Sequence, residues 1–98
     1  MESFLHVSNK EAFEQMLFEH HLSQLRREIT YHMLHRNESD FFDIDTFNRN
    51  HVKNIKTVME MVSIVTGELQ ILGWNTHLGF GDTGLYVYST PEKPSGVY

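Results

Sequence analysis

The chain of 98 residues contains no cysteine, and its two prolines lie among the last eight residues. Without thiols, the protein has no disulfide bond, thiolate metal site or cysteine nucleophile. Because small secreted domains often depend on disulfides, we expect an intracellular protein, in the cytoplasm or nucleus, that is not secreted. The first residues also lack the basic and apolar regions of a signal peptide.

Basic residues are scarce, with 8 Lys and Arg against 13 Asp and Glu and a net charge of −5. Since phosphate binding depends on basic side chains, this balance argues against nucleic acid as the main partner. Polar residues interrupt the most apolar segment, 59–72, so no membrane span is expected. Hydrophobic residues still make up 40% of the chain. We therefore predict a single domain over residues 1–90, followed by a flexible tail at 91–98.

The clearest pattern is an apolar stripe in the second half of the chain. Its members recur at intervals of three and four residues, which places them on one side of an α-helix. They are Ile55, Val58, Val62, Val65, Leu69 and Leu72. We predict a helix that is capped by Asp43, Asp45 or Thr46, runs to about Leu72 and ends at Gly73.

An earlier helix is predicted from a cap at Ser8, with Glu11 completing a capping box, to about Arg36. Its apolar residues change from one face to nearly the opposite face midway along. Either the helix breaks near His20–Ser23, or it stays straight and its two ends contact different partners. A straight helix of about 28 residues would be roughly 42 Å long. In that case the fold is elongated and needs a second copy to cover it.

After Trp74 the apolar period changes from helical spacing to two, which is typical of strands. Strands 74–80 and 85–88 flank a turn at Gly81–Gly84, so the chain is expected to end in a β-hairpin. The predicted fold is α+β: a long antiparallel helical hairpin is followed by a short C-terminal β-hairpin and completed by oligomerisation.

Three short motifs resemble catalytic sequences but lie in the wrong context. The G-x-G-x-x-G match at Gly79–Gly84 is followed by a strand, whereas a dinucleotide site needs a helix there. Asp82–Gly84 matches the aspartic protease tripeptide, yet too little chain follows it to build such an enzyme. Asp43–Thr46 is better explained as a helix cap. No nucleophile has a base at a meaningful spacing, so no catalytic residue, enzyme activity or cofactor is predicted.

Seven histidines are more than usual for this length. Glu28, His32 and His35 share one side of the first helix and are the best metal-ligand candidates. Such pairs are also common on solvated helix faces, so no metal is predicted. Histidines near an interface would make association depend on pH between 5.5 and 8, which is a hypothesis.

The chain has more large apolar side chains than two helices and one hairpin readily bury. This excess predicts self-association, most simply a symmetric dimer that forms a four-helix bundle. Ile64, Gly67 and Ile71 form a small surface that either the C-terminal hairpin or another molecule covers. The predicted interface consists of Phe18, Leu22, Leu25, Ile29, Ile64 and Ile71.

The predicted function is a non-catalytic protein–protein interaction module that works as a homo-oligomer. It would be a small structural or adaptor subunit of a larger assembly, including a viral one, with an unidentified protein partner besides itself. The alternative is a nucleic-acid-associated regulator that uses Arg36, Arg49, Lys53 and Lys56 on the two helices.

Overall fold

The computed structural model describes residues 9–94. It confirms an α+β fold, in which helices pack on a three-stranded antiparallel sheet of order β1-β3-β2. The elements are α1 (Lys10–His35), β1 (Phe42–Asp43), α2 (Ile44–Phe47), a π-helical turn (Asn48–Val52), α3 (Ile55–Ile71), β2 (Asn75–Gly79) and β3 (Gly84–Tyr88). No helix within this part of the chain has the length and apolar character needed to cross a bilayer.

Helix α1 is continuous through His20–Ser23, where the sequence allows either a break or a straight helix. Its N-cap is Asn9, whose side-chain oxygen accepts the backbone N–H groups of Glu11 at 2.7 Å and Ala12 at 3.2 Å. The predicted cap Ser8 lies outside the described residues, and Asn9 performs the capping instead. At 26 residues, α1 is about 39 Å long. It accounts for most of the 50 Å length of a molecule that is only 25 and 20 Å across.

The predicted second helix is interrupted, which corrects the expectation of one helix from Asp43 to Leu72. Lys53 adopts a left-handed conformation with φ of 62°, and Asn54 then caps α3 by accepting the N–H of Thr57. The Asn48 side chain accepts the backbone N–H of Asn54 at 2.7 Å. Asparagine side chains that bond nearby backbone groups compete with the helical ladder, which explains the interruption.

The ends of this region follow the predicted capping. Asp43 is the N-cap of α2, and its carboxylate accepts the backbone N–H and the hydroxyl of Thr46 at 3.2 and 2.8 Å. The hydrogen bond from the Thr46 hydroxyl lowers the pKa of Asp43 below its usual value. Gly73 ends α3 with φ of 100°, and Trp74 donates back to the carbonyl of Leu69. This is a Schellman cap.

The sheet contains the predicted β-hairpin and one additional strand. β3 lies in the centre, with Thr76 of β2 opposite Val87 and Phe42 of β1 opposite Leu85. All five residues of β3 are buried. Strand β1 was not predicted, because two residues are too few to show an alternating pattern.

The core forms where the second half of α1 meets α2, α3 and the sheet. Its members are Leu22, Leu25, Ile29, Phe42, Ile44, Phe47, Val58, Met61, Val62, Val65, Leu69, Leu85 and Val87. The stripe predicted for the second helix supplies four of the five α3 members, and Ile55 and Leu72 at its ends are exposed. A bidentate pair of Arg26 with Glu68, at 3.0 and 2.6 Å, also joins α1 to α3.

Candidate functional site

The first half of α1 extends away from the core. Every residue from Lys10 to Leu17 is exposed. Phe13, Met16 and Leu17 are large apolar side chains that are 42–51% exposed. Since they are three and four residues apart, they form one cluster on one side of the helix, which we call the N-terminal patch.

A second exposed cluster lies near the other end of α1. Tyr31 and Leu34, which we call the C-terminal patch, are 64% and 75% exposed. Tyr31 follows Phe13 by 18 residues, which is about five full helical turns, so both point in the same direction. The two patches therefore share the face of α1 that is opposite the core.

Polar side chains occupy this outer face between the two patches. His20 and Arg27 are exposed, and Gln24 is half-buried near the middle of the helix. The side-chain oxygen of Gln24 is buried and has no hydrogen-bond partner among the described residues. An unpaired buried oxygen destabilises the fold by about 1–3 kcal/mol.

A groove of about 890 Å³ opens beside the C-terminal patch, between α1 and the segment from Phe41 to Phe47. Large apolar residues form its walls, and we call it the aromatic groove. The apolar lining residues are Tyr31, Leu34, Phe41, Phe42 and Phe47. Arg26, Arg27 and Arg36 also line it, together with Glu28 and Asp43.

Contacts among the lining residues hold the groove in shape. Phe42 contacts the rings of His32 and Phe47, with centroids 6.0 and 6.4 Å apart. Phe41 packs against Phe80 in the hairpin turn at 4.9 Å. Burial lowers the pKa of His32, so the imidazole is mainly neutral at neutral pH. The groove is therefore a preformed, largely apolar surface.

The three metal-ligand candidates point to different partners. Glu28 contacts Nε2 of His51 through a carboxylate oxygen at 3.0 Å. His32 lies against Phe42, and His35 stacks on Tyr31 with centroids 4.1 Å apart. Across residues 9–94, no three His, Asp or Glu side chains are arranged to hold a metal ion.

The predicted interface residues divide into two groups. Leu22, Leu25 and Ile29 are at most 4% exposed and belong to the core, so their assignment to a surface is corrected. Phe18 is partly buried against the same core. The sequence predicts that this side of α1 contacts a second copy. In the structure it packs on α3 of the same chain instead.

Ile64 and Ile71 do lie on the surface of α3. Ile71 is 86% exposed, and with the neighbouring Leu72 these residues form what we call the α3 patch. Apart from its own helical turn, no atom of the described residues lies within 4 Å of a Cβ placed on Gly67. The C-terminal hairpin therefore does not cover this surface.

Sequence reasoning missed the outer face of α1, although a signal for it exists. Residues 13, 17, 20, 24, 27, 31 and 34 recur at alternating steps of four and three. That pattern is the spacing of a helix–helix contact. Its polar centre concealed it, because the apolar residues then look like two separate clusters.

The basic residues proposed for nucleic acid are partly neutralised. Arg36 pairs with Asp40 at 3.1 Å, and Arg49 pairs with Asp45. Lys53 and Lys56 are exposed. Carboxylates beside both arginines reduce the positive charge that phosphates require.

No family model matches the chain, and neither the curated proteins nor the solved structures yield a match to it. A functional interpretation therefore depends on the surfaces of this chain.

Proposed function

We propose that the protein is a non-catalytic protein–protein interaction module that self-associates through the outer face of α1. The observation that carries this proposal is the alignment of two exposed apolar patches on that face. Exposed clusters of large apolar side chains on a small domain commonly mark an interaction site.

The exposure of the first half of α1 supports the same proposal. A helix obtains most of its stability from packing an apolar face rather than from intrinsic propensity. The residues of α1 that are buried start at Leu22, so residues 10–17 have little such packing within the described part of the chain. A second molecule on the outer face would supply it.

The α3 patch is a separate exposed surface, on which a different protein can bind. A self-associating module with an additional binding patch fits a small structural or adaptor subunit of a larger assembly. Ile64, Ile71 and Leu72 are the candidate contacts for that second partner.

The proposal is tested by light scattering coupled to size exclusion over a dilution series. The expected mass exceeds the 11.5 kDa of one chain and falls on dilution. Leu17→Glu should give a monomer with unchanged helicity. Burying one leucine contributes about 2 kcal/mol, and a symmetric dimer contains it twice, so Kd should rise about 1000-fold.

Ile71→Glu is the matched control, because it places the same charge on an exposed apolar residue outside α1. It should associate like the wild-type protein. A wild-type monomer at every concentration would contradict self-association. If Ile71→Glu dissociates the oligomer and Leu17→Glu does not, the interface is the α3 patch and not the outer face of α1.

A further inference from the structure

The two patches of α1 are arranged symmetrically about the middle of the helix. Leu17 and Tyr31 are each seven residues from Gln24, about 10.5 Å along the axis. Phe13 and Leu34 are likewise equidistant from the point between Ser23 and Gln24. The two centres differ by half a residue, so a second copy that is related by a two-fold axis beside Gln24 places each N-terminal patch on a C-terminal patch.

Building on the proposed function, we infer that a second copy of this chain occupies the aromatic groove. The two α1 helices lie antiparallel, and the N-terminal patch of each inserts into the groove of the other. Leu17 then contacts the partner subunit's Tyr31, and Phe13 contacts the partner subunit's Leu34. The N-terminal patch of one copy covers the aromatic groove of the other. The dimer therefore contains two such contacts, one on each side of the two-fold axis.

Hydrogen-bond complementarity favours the antiparallel arrangement. Glu14, His21, Glu28 and His35 recur every seven residues along one edge of the outer face. In the antiparallel pair, Glu14 lies opposite the partner subunit's His35, and His21 lies opposite the partner subunit's Glu28, so that an imidazole N–H can donate to a carboxylate at each position. In a parallel pair these residues would instead face the other edge of the partner helix, where Met16, Ser23 and Thr30 carry no charge, so neither glutamate would meet an imidazole.

The wider charge distribution points the same way. The exposed first half of α1 carries Glu11, Glu14 and Glu19 against Lys10. The aromatic groove that receives it is lined by Arg26, Arg27 and Arg36. Arg26 is paired with Glu68 and Arg36 with Asp40, so Arg27 is the arginine of the groove to which residues 9–94 supply no carboxylate partner. Opposite charges on two surfaces favour the encounter and fix its orientation.

The shape of the molecule also disfavours the parallel alternative. The sheet and α3 pack on the second half of α1, and the first half extends beyond them. Two parallel copies would place both cores at the same end and leave both grooves empty. Two antiparallel copies place each core beside the exposed half of the partner's helix.

Polar residues at the axis are compatible with this contact. Gln24 lies opposite the partner subunit's Gln24. Its side-chain oxygen is buried within its own chain, so the amide must rotate outward before that oxygen can accept a hydrogen bond from the partner. His20 lies opposite the partner subunit's Arg27, where a neutral imidazole accepts a hydrogen bond from the guanidinium.

Single cysteines in this cysteine-free chain test the arrangement by disulfide formation. Gln24→Cys should cross-link with itself under mild oxidation. Leu17→Cys and Tyr31→Cys should cross-link mainly when mixed, with one copy carrying a tag that identifies the mixed dimer. Ser63→Cys on the exposed side of α3 is the control and should remain uncross-linked. Disulfides require Cβ atoms about 3.8 Å apart, which makes the pattern specific.

Each cross-linking pattern has a distinct meaning. Leu17→Cys and Tyr31→Cys that each cross-link only with themselves would show a parallel pair and overturn the antiparallel arrangement. Cysteines on α1 that react no more than Ser63→Cys in a dimeric protein would also overturn it, while leaving self-association intact. A protein that stays monomeric in the mass measurement would overturn the proposed function itself.

A charge exchange tests the flanking contact. Glu14→Lys should raise Kd about five-fold through two symmetric contacts. Adding His35→Glu should restore the wild-type Kd, because each introduced lysine then lies opposite an introduced glutamate. Both positions are exposed, so the core should fold as in the wild-type protein, and the contact that His35→Glu removes within the chain is the stacking on Tyr31. A double variant that binds as weakly as Glu14→Lys alone would contradict this pairing.

Discussion

Leu25 is completely buried in the core, although its sequence context suggested an interface. Leu25→Ala should lower the free energy of unfolding by about 3 kcal/mol, because a cavity replaces packed methyl groups. Urea denaturation measures this change. Leu25→Glu should unfold the protein rather than separate two folded copies, and a folded monomeric Leu25→Glu variant would contradict the placement of this residue.

His32 makes the stability of the fold depend on pH. Burial lowers its pKa below 6.5 in the folded state. The unfolded chain therefore binds the proton more readily, and the free energy of unfolding decreases as the pH falls below about 6.5. The lowered pKa values of Asp43 and Glu68 act at more acidic pH, because their contributions are lost only as the pH falls through those lowered values.

The variant His32→Gln isolates this effect. Urea denaturation at pH 7 and pH 5 should show a smaller loss of stability on acidification for His32→Gln than for the wild-type protein. The Glu28–His51 contact is present in both proteins and cancels in the comparison. An equal loss in the two proteins would show that His32 is not the responsible group.

At the scale of single elements, α3 contains a glycine that the fold does not require. Gly67 is helical, and an added Cβ meets no described atom within 4 Å outside its own helical turn. Gly67→Ala should therefore stabilise the monomer by about 1 kcal/mol through helix propensity, as measured by thermal or urea unfolding. If Gly67→Ala instead weakens association, another molecule packs closely on the α3 patch.

The sequence predicts some elements far better than others, and the reason is the length of each pattern. The stripe of α3 and the alternation in the C-terminal hairpin span enough residues to identify the helix and two strands. Strand β1 has two residues and exists because β3 offers an edge for pairing. The break at Lys53 depends on hydrogen bonds from Asn48 and Asn54, which periodicity does not reveal.

The candidate site was harder to predict than the fold. An apolar helix face looks alike whether it packs within the chain or against another copy, so Leu22, Leu25 and Ile29 were placed in the interface. The sequence did indicate two differently facing clusters on the first helix. Only the structure shows which cluster the core uses and which it leaves exposed.

At the scale of the whole molecule, the shape and the surface agree on one arrangement. A long helix carries the core on its inner side near one end and two exposed apolar patches on its outer side, one near each end. The exposed first half of α1 and the aromatic groove therefore lie on the same molecule. In the proposed dimer, two copies fill each other's groove, and the contact closes because the two-fold axis uses the same surface twice.

The most direct test is hydrogen exchange of the α1 backbone amides as a function of protein concentration. The amides of residues 14–20 should exchange rapidly in dilute protein, since this half of the helix has little tertiary packing. Their protection should increase with concentration, whereas the protection of α3 should stay constant. Exchange in residues 14–20 that is the same at every concentration would contradict the proposal that a second copy covers this helix.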